Sequence, residues 1–154
     1  MSRIEARLAE LGLTLPDPSA PVANYIPFTV AGRILYVSGQ IPRKDGKIWP
    51  VGHLGQGVSV DLAKEAAGLC FLSILAHAKT AAGGDLDRIT RVLRLTGYVA
   101  SAPGFADQPQ VINGASDMAV AVFGEAGRHA RSAVGVAALP GGAAVEVEAI
   151  LELA

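Results

Sequence analysis

A chain of 154 residues is long enough for one domain with a substantial core and too short for two. It is 51% hydrophobic and 18% charged, with a mean hydropathy of +0.38; that is high for a soluble monomer and predicts apolar surface facing another subunit. A net charge of −1 gives no global field for nucleic acid or an acidic membrane, and the single cysteine, Cys70, excludes an internal disulfide and suits a reducing cytosol.

The opening MSRIEARLAELGL carries charges from residue 3 onward and is not expected to act as a secretory signal. Ile4, Leu8 and Leu11 recur at helical spacing and predict a short helix, ended by Gly12 and then PDPSAP. Residues 24–30 and 33–38 read as two strands joined at Ala31 and Gly32, and a Gly- and Lys-containing loop follows. Ser59 is a good N-cap for a long helix with Leu62, Ala66, Leu69, Cys70, Ile74 and His77 on one face. Its apolar segment, residues 66–78, falls short of the roughly 18 to 20 residues a membrane span needs. AAGGD stops that helix, and RVLRLTGYVA is a strand broken by SAPG. Val111, Ala115, Met118, Val122 and Phe123 mark a second helix ending near 124–127, and the last strands fall at about 131–138 and 145–153.

The order ββαβαββ predicts a single α+β domain, residues 1–154, with both long helices on one face of a mixed sheet. With no third long helix, a neighbouring subunit is the simplest cover for the other face.

Several chemistries find no motif. There is no G-x-S-x-G and no Walker loop, and the glycines of GHLGQG at 52, 55 and 57 stand in the wrong order for a dinucleotide fingerprint. His53, His77 and His129 lack H-x-x-x-H spacing, so no metal site is expected. Arg43, Lys44 and Lys47 form a small basic cluster without interleaved aromatics, which reads as a solvated loop. What remains is Arg131, at the head of an apolar stretch, with Glu146, Glu148 and Glu152 on the final strand. One reading is a surface ion pair and a solvated edge. The other is a guanidinium fork that binds a carboxylate or phosphate bidentately. The pattern alone leaves both open.

Three segments carry a resemblance: YVSGQIP at 36–42, ARSAVGVAALP at 130–140 and VEVEAI at 145–150. They resemble the signature segments of the YjgF/RidA family, with Tyr25 thirteen residues before Ser38 and Glu146 fifteen after Arg131. The resemblance runs from about Asn24 to the carboxyl terminus, and residues 1–13 look like a helical extension found in one branch. It implies a chorismate-mutase-like α+β fold assembled as a homotrimer in the cytoplasm, with sites in the clefts between subunits. The implied reaction is hydrolysis of reactive enamines and imines to 2-oxo acids and ammonia, without a cofactor. Arg131 would hold the substrate carboxylate, with the backbone N–H of Ala133. Glu146 and the carbonyl of Gly39 would direct the attacking water, while Tyr25, Ser38 and Asn113 would line the pocket. Read without the resemblance, Ser38 and Gly39 form an ordinary strand-ending turn.

Departures from the family pattern fall at His129 for a usual proline, Ala133 for a common cysteine, Pro27 for a polar residue and Ser116 for tyrosine. His129 adds a titratable group beside Arg131, or else caps or packs at the strand start. The short LPGGAA link predicts that the last two strands run in opposite directions. If so, Arg131 and Glu146 lie at opposite ends, roughly 20 Å or more apart within one chain. A shared site would then need two subunits. A non-catalytic 2-oxo acid binder is the alternative reading, and an endoribonuclease a third, which the charge disfavours.

Overall fold

The computed structural model describes residues 1–18, 20 and 23–154. Helix α1 (Arg3–Glu10) starts with a capping box: Ser2 accepts from the Glu5 N–H, and the Glu5 side chain accepts from the Ser2 N–H. Asp87 accepts from the N–H groups of Arg3 and Ile4 at 2.8 and 2.9 Å, and Lys79 pairs with Glu5. With Ile4 and Leu8 buried, the extension is docked on the body of the domain. Gly12, at φ +68°, ends it as expected. Of the PDPSAP stretch, Ser19 and Pro21 lie outside the described residues.

Strand β1 (Phe28–Ala31) pairs antiparallel with β2 (Ile34–Gln40). The expected start at 24 is corrected to 28, because Pro27 has no N–H for the ladder and pairing opens at Phe28 opposite Val37. β2 runs past its expected end at 38. Its register with the last strand slips between Val37 and Gln40, so Ser38 and Gly39 occupy a bulge rather than a strand-ending turn. The expected loop contains two small ladders, β3 (Arg43–Lys44) with β4 (Lys47–Ile48), and β5 (His53–Leu54) with β6 (Gly57–Val58). Lys44 bonds Glu65 at 3.1 Å and lies over the Trp49 ring, so the basic cluster is partly neutralised.

Helix α2 (Val60–Ala81) begins at Ser59, whose hydroxyl accepts from the Leu62 N–H. After it come β7 (Ile89–Ala100), α3 (Gln108–Phe123), β8 (Ala130–Val136) and β9 (Val145–Leu153). The main sheet has the order β1-β2-β9-β7-β8, with only β7 and β8 parallel. Both long helices cover one face. Their axes approach closely because Gly114 has no side chain, and a Cβ there would overlap the Lys64 carbonyl. Gly97 likewise leaves room on β7 for Ile112 of α3. Phe71, Ile74 and Leu75 of α2 fill the interior, each worth roughly 1.5 to 3 kcal/mol of burial.

β9 alternates strictly. Val145, Val147, Ala149, Leu151 and Leu153 are buried toward the helices, while Glu146, Glu148, Ile150 and Glu152 face the other way. No helix of the chain covers that second face among the described residues, and Tyr36 and Val134 are 46% and 43% exposed.

Candidate active site

Arg131 stands on β8, at the edge of the sheet, level with the fully buried Leu95 of β7. Cross-strand partners share a face, so its side chain lies on the helix side. There Nη1 donates to Asn113 Oδ1 at 2.7 Å and to Ser116 Oγ at 3.2 Å. The two acceptors sit three residues apart on α3, one turn along the same face. Among the described residues no carboxylate lies within ion-pair distance of Arg131, which overturns the surface ion-pair reading. Its two partners are both neutral oxygens. Ser116 and His129 Nε2 are 2.8 Å apart, and His129 Nδ1 is 2.7 Å from the Gly127 carbonyl. Ala133, level with Gly97, follows Arg131 on the same face.

Glu146 belongs to a second cluster. It is level with Tyr98 on the face the helices leave open, beside Glu148, which accepts from the Tyr98 hydroxyl at 2.8 Å. Partial burial, and then the like charge of Glu148, push the Glu146 carboxyl above its ordinary range. Gly39 lies directly against it: a Cβ at 39 would overlap the Glu146 carboxylate. The bulge is stitched in place by three bonds. Ser38 N–H donates to the Pro27 carbonyl at 2.9 Å, its hydroxyl to the Ile26 carbonyl at 2.9 Å, and Gln40 Nε2 to the Ser38 carbonyl at 2.9 Å. The first two of these bonds also tether the segment carrying Tyr25, which is 55% exposed.

The site residues expected from sequence therefore fall into two groups: Arg131, Asn113, His129 and Ala133 at one edge, and Gly39, Ser38, Glu146 and Tyr25 toward the other. The expected separation of Arg131 and Glu146 needs correction. β8 and β9 do run in opposite directions, but β7 lies between them. The two residues are offset by three β7 positions and two strand steps, some 14 Å between backbones by strand geometry. What parts them is the sheet itself, because their side chains leave opposite faces. A cavity of about 610 Å³ between residues 14–18, the end of β2 and α2 contains neither of them, and nor does a hollow of about 280 Å³ on the open face beside Ser38 and Glu148.

Two features escape sequence reasoning. Ser116 counts there only as a departure, and its contact with both Arg131 and His129 depends on how α3 crosses β8. The Tyr98–Glu148 bond joins residues fifty apart and has no local signal. Among the described residues no three His, Cys, Asp or Glu side chains converge on a point that could hold a metal ion.

A mixed sheet under two long helices, with an arginine that meets no carboxylate among the described residues at one edge and a carboxylate of raised pKa on the open face, defines an α+β protein. The chain belongs to the YjgF/RidA family: residues 5–153 match the profile described as "YjgF/chorismate_mutase-like, putative endoribonuclease". It is 48% identical to Protein TCP17 of Trypanosoma cruzi over 152 residues, which is 98% of this chain and 94% of that protein. It is 54% identical to the crystal structure of Atu1372 from Agrobacterium tumefaciens, a protein of unknown function, with a TM-score of 0.92 over 98% of this chain and 92% of that one. A structure from Shewanella oneidensis, described as a "putative endoribonuclease", is 35% identical with a TM-score of 0.93, covering 97% and 99% of the two chains.

Proposed function

We propose that the protein hydrolyses reactive 2-imino and enamine acids to 2-oxo acids and ammonia, at clefts between the subunits of a homotrimer. The observation that carries this reading is Arg131, held by the neutral oxygens of Asn113 and Ser116 with its charge unmatched among the described residues. A guanidinium so held suits a small carboxylate.

An iminium carbon is already electrophilic, so the protein has to fix the acid and direct one water. Glu146 takes a proton from that water as its oxygen bonds to the carbon, and the C=N π pair moves to nitrogen. The Gly39 carbonyl accepts the water's second hydrogen. Glu146 returns the proton to the carbinolamine nitrogen; C=O then forms as the C–N bond breaks, and the hydroxyl proton passes by way of the re-ionised Glu146 to the departing ammonia, which leaves as ammonium. The Ala133 N–H supports the substrate carboxylate beside Arg131, and Tyr25 and Ser38 line the cleft. A carboxyl whose pKa is raised by burial and by Glu148 is a stronger base than an ordinary carboxylate, which favours the first of these proton transfers.

Arg131 and Glu146 lie on opposite faces, and the strands that carry the two clusters approach opposite edges of the sheet. One edge of a subunit meeting the other edge of the next is a head-to-tail contact, which closes into a ring of three when each contact turns the next subunit by a third of a full rotation. The uncovered sheet face, with Tyr36 and Val134 exposed, supplies apolar wall for the same ring.

The test is release of 2-oxo acid and ammonia from an imine generated in situ by an amino-acid oxidase, with wild type and Arg131→Ala side by side. Faster hydrolysis with wild type only is expected. Equal rates with and without protein, combined with saturable 2-oxo acid binding, would instead support a carboxylate-binding protein. The ribonuclease reading rests on the relatives' descriptions. A net charge of −1 offers it no basic track, and RNA affinity that is weak and insensitive to salt would remove it.

A further inference from the structure

We propose that Ser116 and His129 form a positioning couple that orients Arg131, and that the substrate anion is bound side-on through its Nε and Nη2. The proposal rests on the carboxylate-anchor reading of Arg131 and deepens it. The Gly127 carbonyl can only accept, so the proton of the neutral imidazole is on Nδ1, which donates to it at 2.7 Å. Nε2 is then an acceptor, and it receives the Ser116 hydroxyl at 2.8 Å. With its single hydrogen committed, Ser116 Oγ presents lone pairs to Arg131 Nη1 at 3.2 Å. Asn113 Oδ1 takes the other Nη1 hydrogen at 2.7 Å.

Both Nη1 hydrogens are thereby consumed. Among the described residues neither Nε nor Nη2 of Arg131 has a hydrogen-bond partner. These two nitrogens form one edge of the planar guanidinium, the edge that meets a carboxylate with two parallel bonds. His129 itself has no ring nitrogen left for a substrate, so it acts through Ser116 rather than by contact. Backbone geometry fixes the far end of the couple, because a Cβ at Gly127 would overlap the Ala119 carbonyl of α3. The carbonyl that orients His129 is therefore held by the same helix that carries Ser116 and Asn113.

The experiment compares Ser116→Ala, His129→Ala, the double variant and His129→Gln, whose side-chain carbonyl can still accept from Ser116. In the imine assay Ser116→Ala is expected to raise KM about tenfold with little change in kcat. The double variant should be no worse than Ser116→Ala alone, since one residue acts through the other. His129→Gln should recover most of the His129→Ala loss. Losses that add, or a fall in kcat at constant KM, overturn the couple. Isothermal titration with 2-oxobutyrate on the same proteins separates this from the activity. A wild type that binds with this pattern yet never accelerates hydrolysis defeats the deaminase reading and leaves the couple standing. A third arm needs no ligand. In ¹⁵N NMR the Arg131 Nη signals should be resolved in wild type, averaged in Ser116→Ala and His129→Ala, and resolved again in His129→Gln; signals unchanged across the set overturn the couple whatever the protein does.

Discussion

Arg131 and Glu146 leave opposite faces of one sheet. Arg131 is level with buried Leu95 and turns toward α3, whereas Glu146 is level with Tyr98 and turns away from the helices. Leu95 and Tyr98 are three residues apart on a stretch of β7 with no bulge between them, so period-two alternation sends them to opposite sides. No side-chain rotation within a protomer can bring the two site residues together.

Arg131→Ala is expected to abolish imine hydrolysis and 2-oxo acid binding alike. Arg131→Lys should recover little, at least about tenfold below wild type, because an ammonium cannot present two parallel donors. Steady-state kinetics and titration of the two variants check this.

Glu146 couples function to stability with opposite signs. Its folded pKa is raised by burial first and by Glu148 second, so the folded state holds this proton more tightly than the unfolded chain does. Between the ordinary carboxylate range and the raised value, its contribution to stability is therefore lost as pH rises. Over the same span the ionised base becomes available and turnover should climb. Glu146→Gln should thus raise Tm at neutral pH while removing turnover, as thermal unfolding and a pH–rate profile would read.

Gly114→Ala tests the helix layer that positions Asn113 and Ser116. A Cβ at 114 meets the backbone carbonyl of Lys64, which cannot swing aside as a side-chain tip could. A loss of about 1 to 3 kcal/mol is expected in denaturant unfolding.

Much of this architecture was legible in the sequence, for identifiable reasons. α2 declared itself through the Ser59 cap and a long helical face, and β9 through strict alternation with an abrupt glycine-rich start. The resemblance singled out Arg131, Gly39 and Glu146. What stayed hidden depends on order in space rather than along the chain. LPGGAA reads as a link between neighbouring strands, yet it carries the chain past β7, so a geometry built on adjacency misjudged the Arg131–Glu146 separation. The bulge at Ser38 and Gly39 reads as a turn because the residues that permit either are the same. Ser116 emerged only when α3 was laid across β8.

Val134 tests the assembly. It is exposed on the uncovered face, level with Tyr98. Val134→Glu would place a charge in the apolar wall of the proposed ring, and sedimentation should show the trimer replaced by smaller species with turnover lost.

The most direct test mixes two dead proteins. Arg131→Ala and Glu146→Gln, each inactive alone, are unfolded, combined in equal amounts and refolded together. If every site takes Arg131 from one subunit and Glu146 from the next, random mixing rebuilds about a quarter of the sites, and imine hydrolysis should return to about that share of wild type. A mixture that forms mixed trimers yet stays as inactive as its components would contradict the shared site.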